Sequence, residues 1–340
     1  MTWLTWRQLR AQATAVYAAV LALAVVLAVT GPRLTGLGQG QVSLFDQLTR
    51  SDRNLYYAGI VVLALAPAVI GAFWGAPLVA RELEAGTHRL VWNQSITRTR
   101  WLATKLVLTL LCAAIAVGVL SLAVTWWSAP LDGVTGSQRG SLPSRLTPIA
   151  FSMRDLVPVA YTVFAVSLGT ALGVLLRRAL PAMALTLAVM AFVQIAVPLW
   201  VRPHLLPPTS QLVVLGRDTL DSIMADDSGT RVRIGVRPAH RGDWVLSQQT
   251  VDSAGRAVAL PSWFNSCVAP PPPVGVASQR SEAPDVSGCF SRLTAEGYQQ
   301  HVVYQPVSRF WPLQWAETAL LLVLSALLTV FTFRWTRRLS

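Results

Sequence analysis

The sequence predicts an all-α polytopic membrane protein, with six transmembrane helices and a small mixed α/β extracytoplasmic domain between the fifth and sixth. Three observations carry that class. The 340 residues are 53% hydrophobic and only 13% charged, too apolar for an ordinary soluble fold. Apolar runs repeatedly reach the ~20 residues that cross a bilayer. The basic residues flank those runs in short clusters, so the net charge of +12 reads as topology determinants and not as a phosphate-binding stripe. The bilayer is therefore the expected partner, and nucleic acid is not. All but one of the basic residues are Arg, which reflects genomic base composition and not chemistry.

At the N-terminus Trp3 and Trp6 stand beside Arg7 and Arg10, which suits a short interfacial helix; a disordered tail is the alternative. The first span covers Ala13 to Thr30, longer than the ~7–15 apolar residues of a cleaved signal. The second lies within Tyr56 to Val79 and holds Pro67, expected to kink it. The third covers Leu106 to Trp127, followed by a Gly/Ser/Pro-rich connection from Ser128 to Asp155. The fourth (Leu156 to Leu176) and fifth (Ala179 to Val201) are separated only by Arg177 and Arg178, which makes a tight helical hairpin with its tip at one membrane face. The sixth, Leu313 to Phe333, ends in Arg334, Arg337 and Arg338. Domain boundaries follow: 1–201 for the first five spans, 202–310 for the inserted domain, and 311–340 for the last span and its basic tail.

Orientation follows from the short connections. With the N-terminus in the cytoplasm, twelve Arg or Lys fall on that side and six on the other. The long segment from Arg202 to Arg309 is exempt, because large domains translocate largely regardless of charge. A multi-pass protein of the cell membrane with both termini cytoplasmic is the expectation, with the long segment outside. A disulfide can persist there, and Cys267 and Cys289 both lie in it; two free thiols remain open on spacing alone. Cys112 is mid-span and suits apolar packing.

Within the long segment, Thr209 to Ala225 has helical spacing of Leu212, Val213, Leu220 and Ile223. Arg231 to Val236 alternates like a strand. Trp244-Val245-Leu246 and Val258-Ala259-Leu260 flank Asp252 to Gly255 as a hairpin would. Pro270 to Pro273 breaks regular structure, and Ser291 to Tyr304 is compatible with helix.

Catalytic motifs are missing. The sole Lys, Lys105, stands in no G-x-x-x-x-G-K-[ST] context, so the chain carries no P-loop of its own. His88, His204, His240 and His301 are scattered without metal-ligand spacing. Two polar residues lie inside spans, where they are costly. Gln194 either lines a substrate path or makes an interhelical hydrogen bond. Glu317 either lines that path or is a water-exposed carboxylate near the outer face. Gly169 and Gly173 form a G-x-x-x-G that permits close helix approach.

The polar stretch between the second and third spans reads GAPLVARELEAGTHRLVWNQSITRTRWLATK from Gly75 to Lys105. Arg81 to Ala85 extends the second span as a helix, and Gly86 suits a C-cap. Thr87 or Asn93 is placed to start a short helix with Leu90, Val91 and Trp92 as its apolar face. A helix held there can insert into a groove on a soluble partner; a solvated tether whose charges fix topology is the plainer reading. The arrangement resembles the permease subunit of type-two ATP-binding-cassette exporters, in which R-E-x-E-x-G-T follows the second span and a Lys enters the third. The matching residues are Arg81, Glu82, Glu84, Gly86, Thr87, Arg98, Arg100 and Lys105. With SRFWPLQWAE at Ser308 to Glu317, the string is most similar to the actinobacterial branch.

The resemblance implies that segment 80–105, including Arg89 and Trp92, couples to a separate ABC ATPase subunit. That subunit binds the ATP, so no cofactor is expected on this chain. It also implies a second permease copy, homo- or heterodimeric, and export of a hydrophobic or amphipathic substrate, with no enzymatic activity of the chain itself. Glu84 is expected to pair with a cation on the ATPase or with Arg98 or Arg100. A receptor with an outer ligand-binding domain and, further off, a membrane enzyme are the alternatives; neither a signalling module nor convergent intramembrane carboxylates support them.

Overall fold

The structure, a computed structural model, describes residues 2–37, 49–86, 97–133, 143–216, 218–225, 232–237, 240, 242–268 and 286–338. The chain forms two compact units. One comprises Met1–Val134, Arg145–Leu206 and Phe310–Ser340; the other comprises Thr135–Ser144 and Pro207–Arg309. Arg202 to Leu206 thus stand with the helices and not with the inserted domain.

Six helices among the described residues are long and apolar enough to cross a membrane: Gln12–Leu34, Arg50–Glu84, Arg98–Asp132, Val157–Leu176, Ala179–Leu205 and Val307–Arg338. The first belongs to one continuous helix, Thr2–Leu37, so no separate interfacial helix precedes it. Ala11-Gln12-Ala13 favours helix, and nothing in that stretch ends one. The second span starts at a capping box, where Thr49 Oγ1 accepts from Asp52 N–H and Asp52 Oδ2 accepts from Thr49 N–H. Its helix is continuous through Pro67 to Ile70. The irregularity falls one turn later, in a π-helical turn over Gly71–Gly75, where Ala76 N–H donates to Gly71 O at 3.0 Å. Pro77–Glu84 then completes the helix. The fifth span carries a matching π turn at Val197–Val201.

The fourth span is the most buried of the six and the first the least, which makes the fourth the centre of the bundle. Glycines set how closely it meets the second span. A Cβ on Gly173 would stand 2.3 Å from Ala76 O, and one on Gly169 would stand 2.4 Å from Gly71 O. The G-x-x-x-G is therefore used within the chain, against the π turn, and Thr170 Oγ1 donates to Gly75 O at 3.3 Å across the same crossing. Leu21, Val29, Leu180, Phe192 and Leu327 remain exposed on outer faces, as lipid-facing side chains do.

The second unit holds two antiparallel sheets. β1 (Thr209–Val214), β4 (Trp244–Val251) and β5 (Gln299–Gln305) form one in the order β1-β5-β4; β2 (Leu220–Ala225) and β3 (Val232–Val236) form the other. The helix expected over Thr209 to Ala225 is thus two strands. Burial alternates along β1 with period two, and Gly216 and Thr219 form a turn closed by a 3.0 Å bond from Gly216 N–H to Thr219 Oγ1. Ser291 to Tyr304 is also divided. The helix Val286–Ala295 ends at Gly297, whose φ of 82° is left-handed, and β5 follows. The strand at Val232–Val236 and the turn at Asp252–Gly255 lie where the alternation placed them. Beyond the turn, however, only the single bridge Val251↔Ala257 forms. At the turn, backbone N–H groups of Arg256 and Ala254 donate to Asp252, and these bonds, led by that from Arg256, hold its carboxyl below the usual range.

Cys267 and Cys289 are disulfide-bonded, with Cα atoms 6.4 Å apart, tying Phe264–Val268 to Val286–Ala295. The bridge joins a core of Phe264, Phe290, Leu293, Val302 and Tyr304. Cys112 is buried and free.

Candidate functional site

At the end of the bundle where the second span leaves and the third enters, the apolar floor is Val79, Trp101, Leu102 and Val174, with Leu83, Phe333 and Trp335 packed on it. Side chains from the second, third, fourth and sixth helices meet there. Three features of the end of the second span stand beside this floor. Glu82 pairs with Lys105, which is buried and lies 5.0 Å from the Trp101 ring centroid. A Lys this deep in a helix requires such a counter-charge. Lys105, which closes the polar stretch, stands inside the helix Arg98–Ser128.

Glu84, for which a cationic partner was expected, accepts the backbone N–H of Ala179 on Oε2 at 3.0 Å. Ala179 opens the fifth helix, after Arg177 in the left-handed region at φ 54° and Arg178 extended. The two-residue hairpin tip is therefore held from outside by a carboxylate of the second span.

Gly86 is the third feature. Its φ is 69°, and its N–H donates to Leu83 O at 3.4 Å, the left-handed ending the sequence suggested. A Cβ there would touch nothing, so the backbone angle alone calls for glycine. Arg81 and Arg100 are exposed, and Arg98 is half-buried at the start of a helix whose Thr97 side chain accepts from Arg100 N–H. Thr87, Arg89, Trp92 and the short helix expected around them lie outside the described residues.

At the opposite end of the bundle a second polar cluster is wholly enclosed. Arg202 and Glu317 are both fully buried. Arg202 Nε donates to Glu317 Oε2 at 2.7 Å and Nη2 donates to Oε1 at 3.0 Å, a fork-on-fork pairing. The same guanidinium reaches Pro148 O at 2.9 Å and Ser152 Oγ at 2.5 Å, and stacks over Phe151 at 4.2 Å. Tyr161 O–H donates to Glu317 Oε1 at 3.1 Å. Glu317 is therefore not the water-exposed carboxylate that was one expectation: water is replaced by three donors. Beside it Gln314 bonds Val157 N–H and the carbonyls of Phe151 and Arg154. Arg154 in turn meets Asp132 at 2.5 Å. Gln194 donates to Ala64 O at 2.7 Å, the interhelical bond that was the alternative to a substrate-path role.

Arg202, Arg154, Gln314 and Tyr161 were not singled out as site residues in the sequence. The available signal was an Arg ending one apolar run and a Glu starting another. Among the described residues no group of three or more metal-ligating side chains is gathered. The family described as ABC-2 membrane transporter related matches residues 9–202, more than half of the chain. No curated protein and no solved structure matches it.

Proposed function

Because the chain belongs to the ABC-2 membrane transporter related family, a multi-pass permease subunit that works with an ABC ATPase subunit, we propose that segment 80–105 is the coupling element through which ATPase closure moves the spans. The observation that carries this is the pair of links from the end of the second span: Glu82 to Lys105 of the third span and Glu84 to Ala179 N–H of the fifth. A push on the segment just after Gly86 is delivered to the second, third and fifth spans together, because a helix end, an ion pair and a cap join them. The family argues against the receptor and membrane-enzyme readings.

In the same reading the chain exports a hydrophobic or amphipathic substrate, and two permeases assemble with two ATPase subunits. ATP is held only by the ATPase, since the chain has no P-loop. Both termini lie in the cytoplasm, and the unit bearing Cys267 and Cys289 lies outside. The disulfide supports that last placement, because such bonds persist in oxidising compartments. The resemblance to the actinobacterial branch rests on the two strings quoted above. The test is ATP hydrolysis by the chain purified alone and together with an ABC ATPase subunit co-expressed with it. The chain alone should hydrolyse none above background, and the pair should copurify and hydrolyse. Robust hydrolysis by the chain alone contradicts the proposal.

A further inference from the structure

We infer that Glu84 is the positioning residue that transmits motion of the coupling segment to the fifth span, acting through the N–H of Ala179 and not as a docking contact for the ATPase; this rests on the coupling reading above. The first turn of any helix presents backbone N–H groups without intrahelical acceptors. In the helix Ala179–Ala196 the residue before that turn is Arg178, which provides no side-chain cap because a guanidinium has no acceptor. The hairpin tip is only Arg177 and Arg178, both cationic, so it offers no side-chain acceptor of its own. Glu84 supplies one from 95 residues earlier in the chain, and its charge faces the positive end of the helix dipole.

Glu84 is also the last residue of the helix Pro77–Glu84, two before the left-handed Gly86. Displacement of the chain beyond Gly86 is applied to that final turn and passes through one carboxylate to the first turn of the fifth span. Glu82, on the same turn, takes Lys105 of the third span. Two carboxylates two residues apart are thus assigned to two different spans.

A docking contact requires the charge of Glu84, whereas a cap requires an acceptor. Glu84→Gln keeps the acceptor and drops the charge; Glu84→Ala drops both. From the other side, Ala179→Pro deletes the donor. Proline suits the first helical position, and Arg178, at φ −133° and ψ 129°, already has the extended backbone that precedes proline. The experiment measures copurification and ATP hydrolysis for the assembled permease–ATPase complex with each variant and with Glu84→Ala/Ala179→Pro.

The inference predicts copurification in every case and activity close to wild type for Glu84→Gln. Glu84→Ala and Ala179→Pro should each lose about fivefold, the factor one helix cap represents, and the double variant should lose no more than either single one. Equal losses for Gln and Ala, additive losses in the double variant, or undiminished activity of Glu84→Ala overturn it while the coupling reading stands. A wild-type chain that forms no complex overturns both.

Discussion

Removing the carboxylate of Glu317 should destabilise the helical unit by about 4 kcal/mol, within the range for stranding one partner of a buried ion pair. Glu317→Ala deletes three hydrogen bonds, two from Arg202 and one from Tyr161. Bonds to a charged group contribute roughly 1.5–3 kcal/mol each. Arg202 keeps Pro148 O and Ser152 Oγ, which recovers part of the loss but leaves an enclosed positive charge without a counter-ion. Replacing both partners by apolar residues of similar volume, Arg202→Met with Glu317→Leu, removes the charge along with its compensation. That double variant should come back to within about 1 kcal/mol of wild type. The assay is thermal unfolding of the purified chain in detergent, followed by tryptophan fluorescence. For a helical unit of this size the single variant should melt about 10 °C lower, and the double variant within a few degrees of wild type. A Glu317→Ala protein that melts with the wild type would show that water already reaches the carboxylate, and the reasoning from enclosure would fail.

Other consequences are read with similar assays. Gly173→Val places a Cβ against Ala76 O and should cost about 1–3 kcal/mol or more, seen as a reduced folded yield in membranes, whereas Gly118→Ala, with its nearest neighbour at 3.7 Å, should be tolerated. Reducing Cys267–Cys289, which closes a loop of 22 residues, should lower the stability of the sheet-bearing unit by about 3 kcal/mol. After reduction, an impermeant thiol reagent should label both cysteines from outside intact cells; labelling only in inverted vesicles would reverse the orientation. Gly86→Val should cost about 1 kcal/mol through its left-handed φ and lower ATP hydrolysis of the complex without lowering membrane insertion.

Long-period features were legible in the sequence. Six spans appear where apolar runs approach or exceed bilayer length, because lipid leaves a backbone few alternatives to helix. Gly86 was legible because a left-handed helix ending favours one residue. The partners of the charges were not. Glu84 and Ala179 are 95 residues apart and Arg202 and Glu317 are 115 apart, and no local pattern states which charge meets which donor. Arg202 looked like a boundary marker, since an Arg after an apolar run usually is one; only the fold shows that it turns inward. The strands over Thr209 to Ala225 were hidden because Leu212, Val213, Leu220 and Ile223 recur at helical spacing and not at period two, with Leu212 exposed on β1; the turn at Gly216 to Thr219 separates the two strands. The π turn at Gly71–Gly75, where the fourth span approaches most closely, had no signal in the sequence.

The central claim, that the stretch after the second span meets the ATPase, is tested most directly by site-specific photocrosslinking in the assembled complex. A benzophenone amino acid is placed at Arg81, which is exposed beside the Glu82–Lys105 pair, and for comparison at Arg256, exposed in the sheet-bearing unit. The account predicts an adduct with the ATPase subunit from position 81 and none from position 256. An adduct from position 256, or none from position 81 in a complex that hydrolyses ATP, would contradict it.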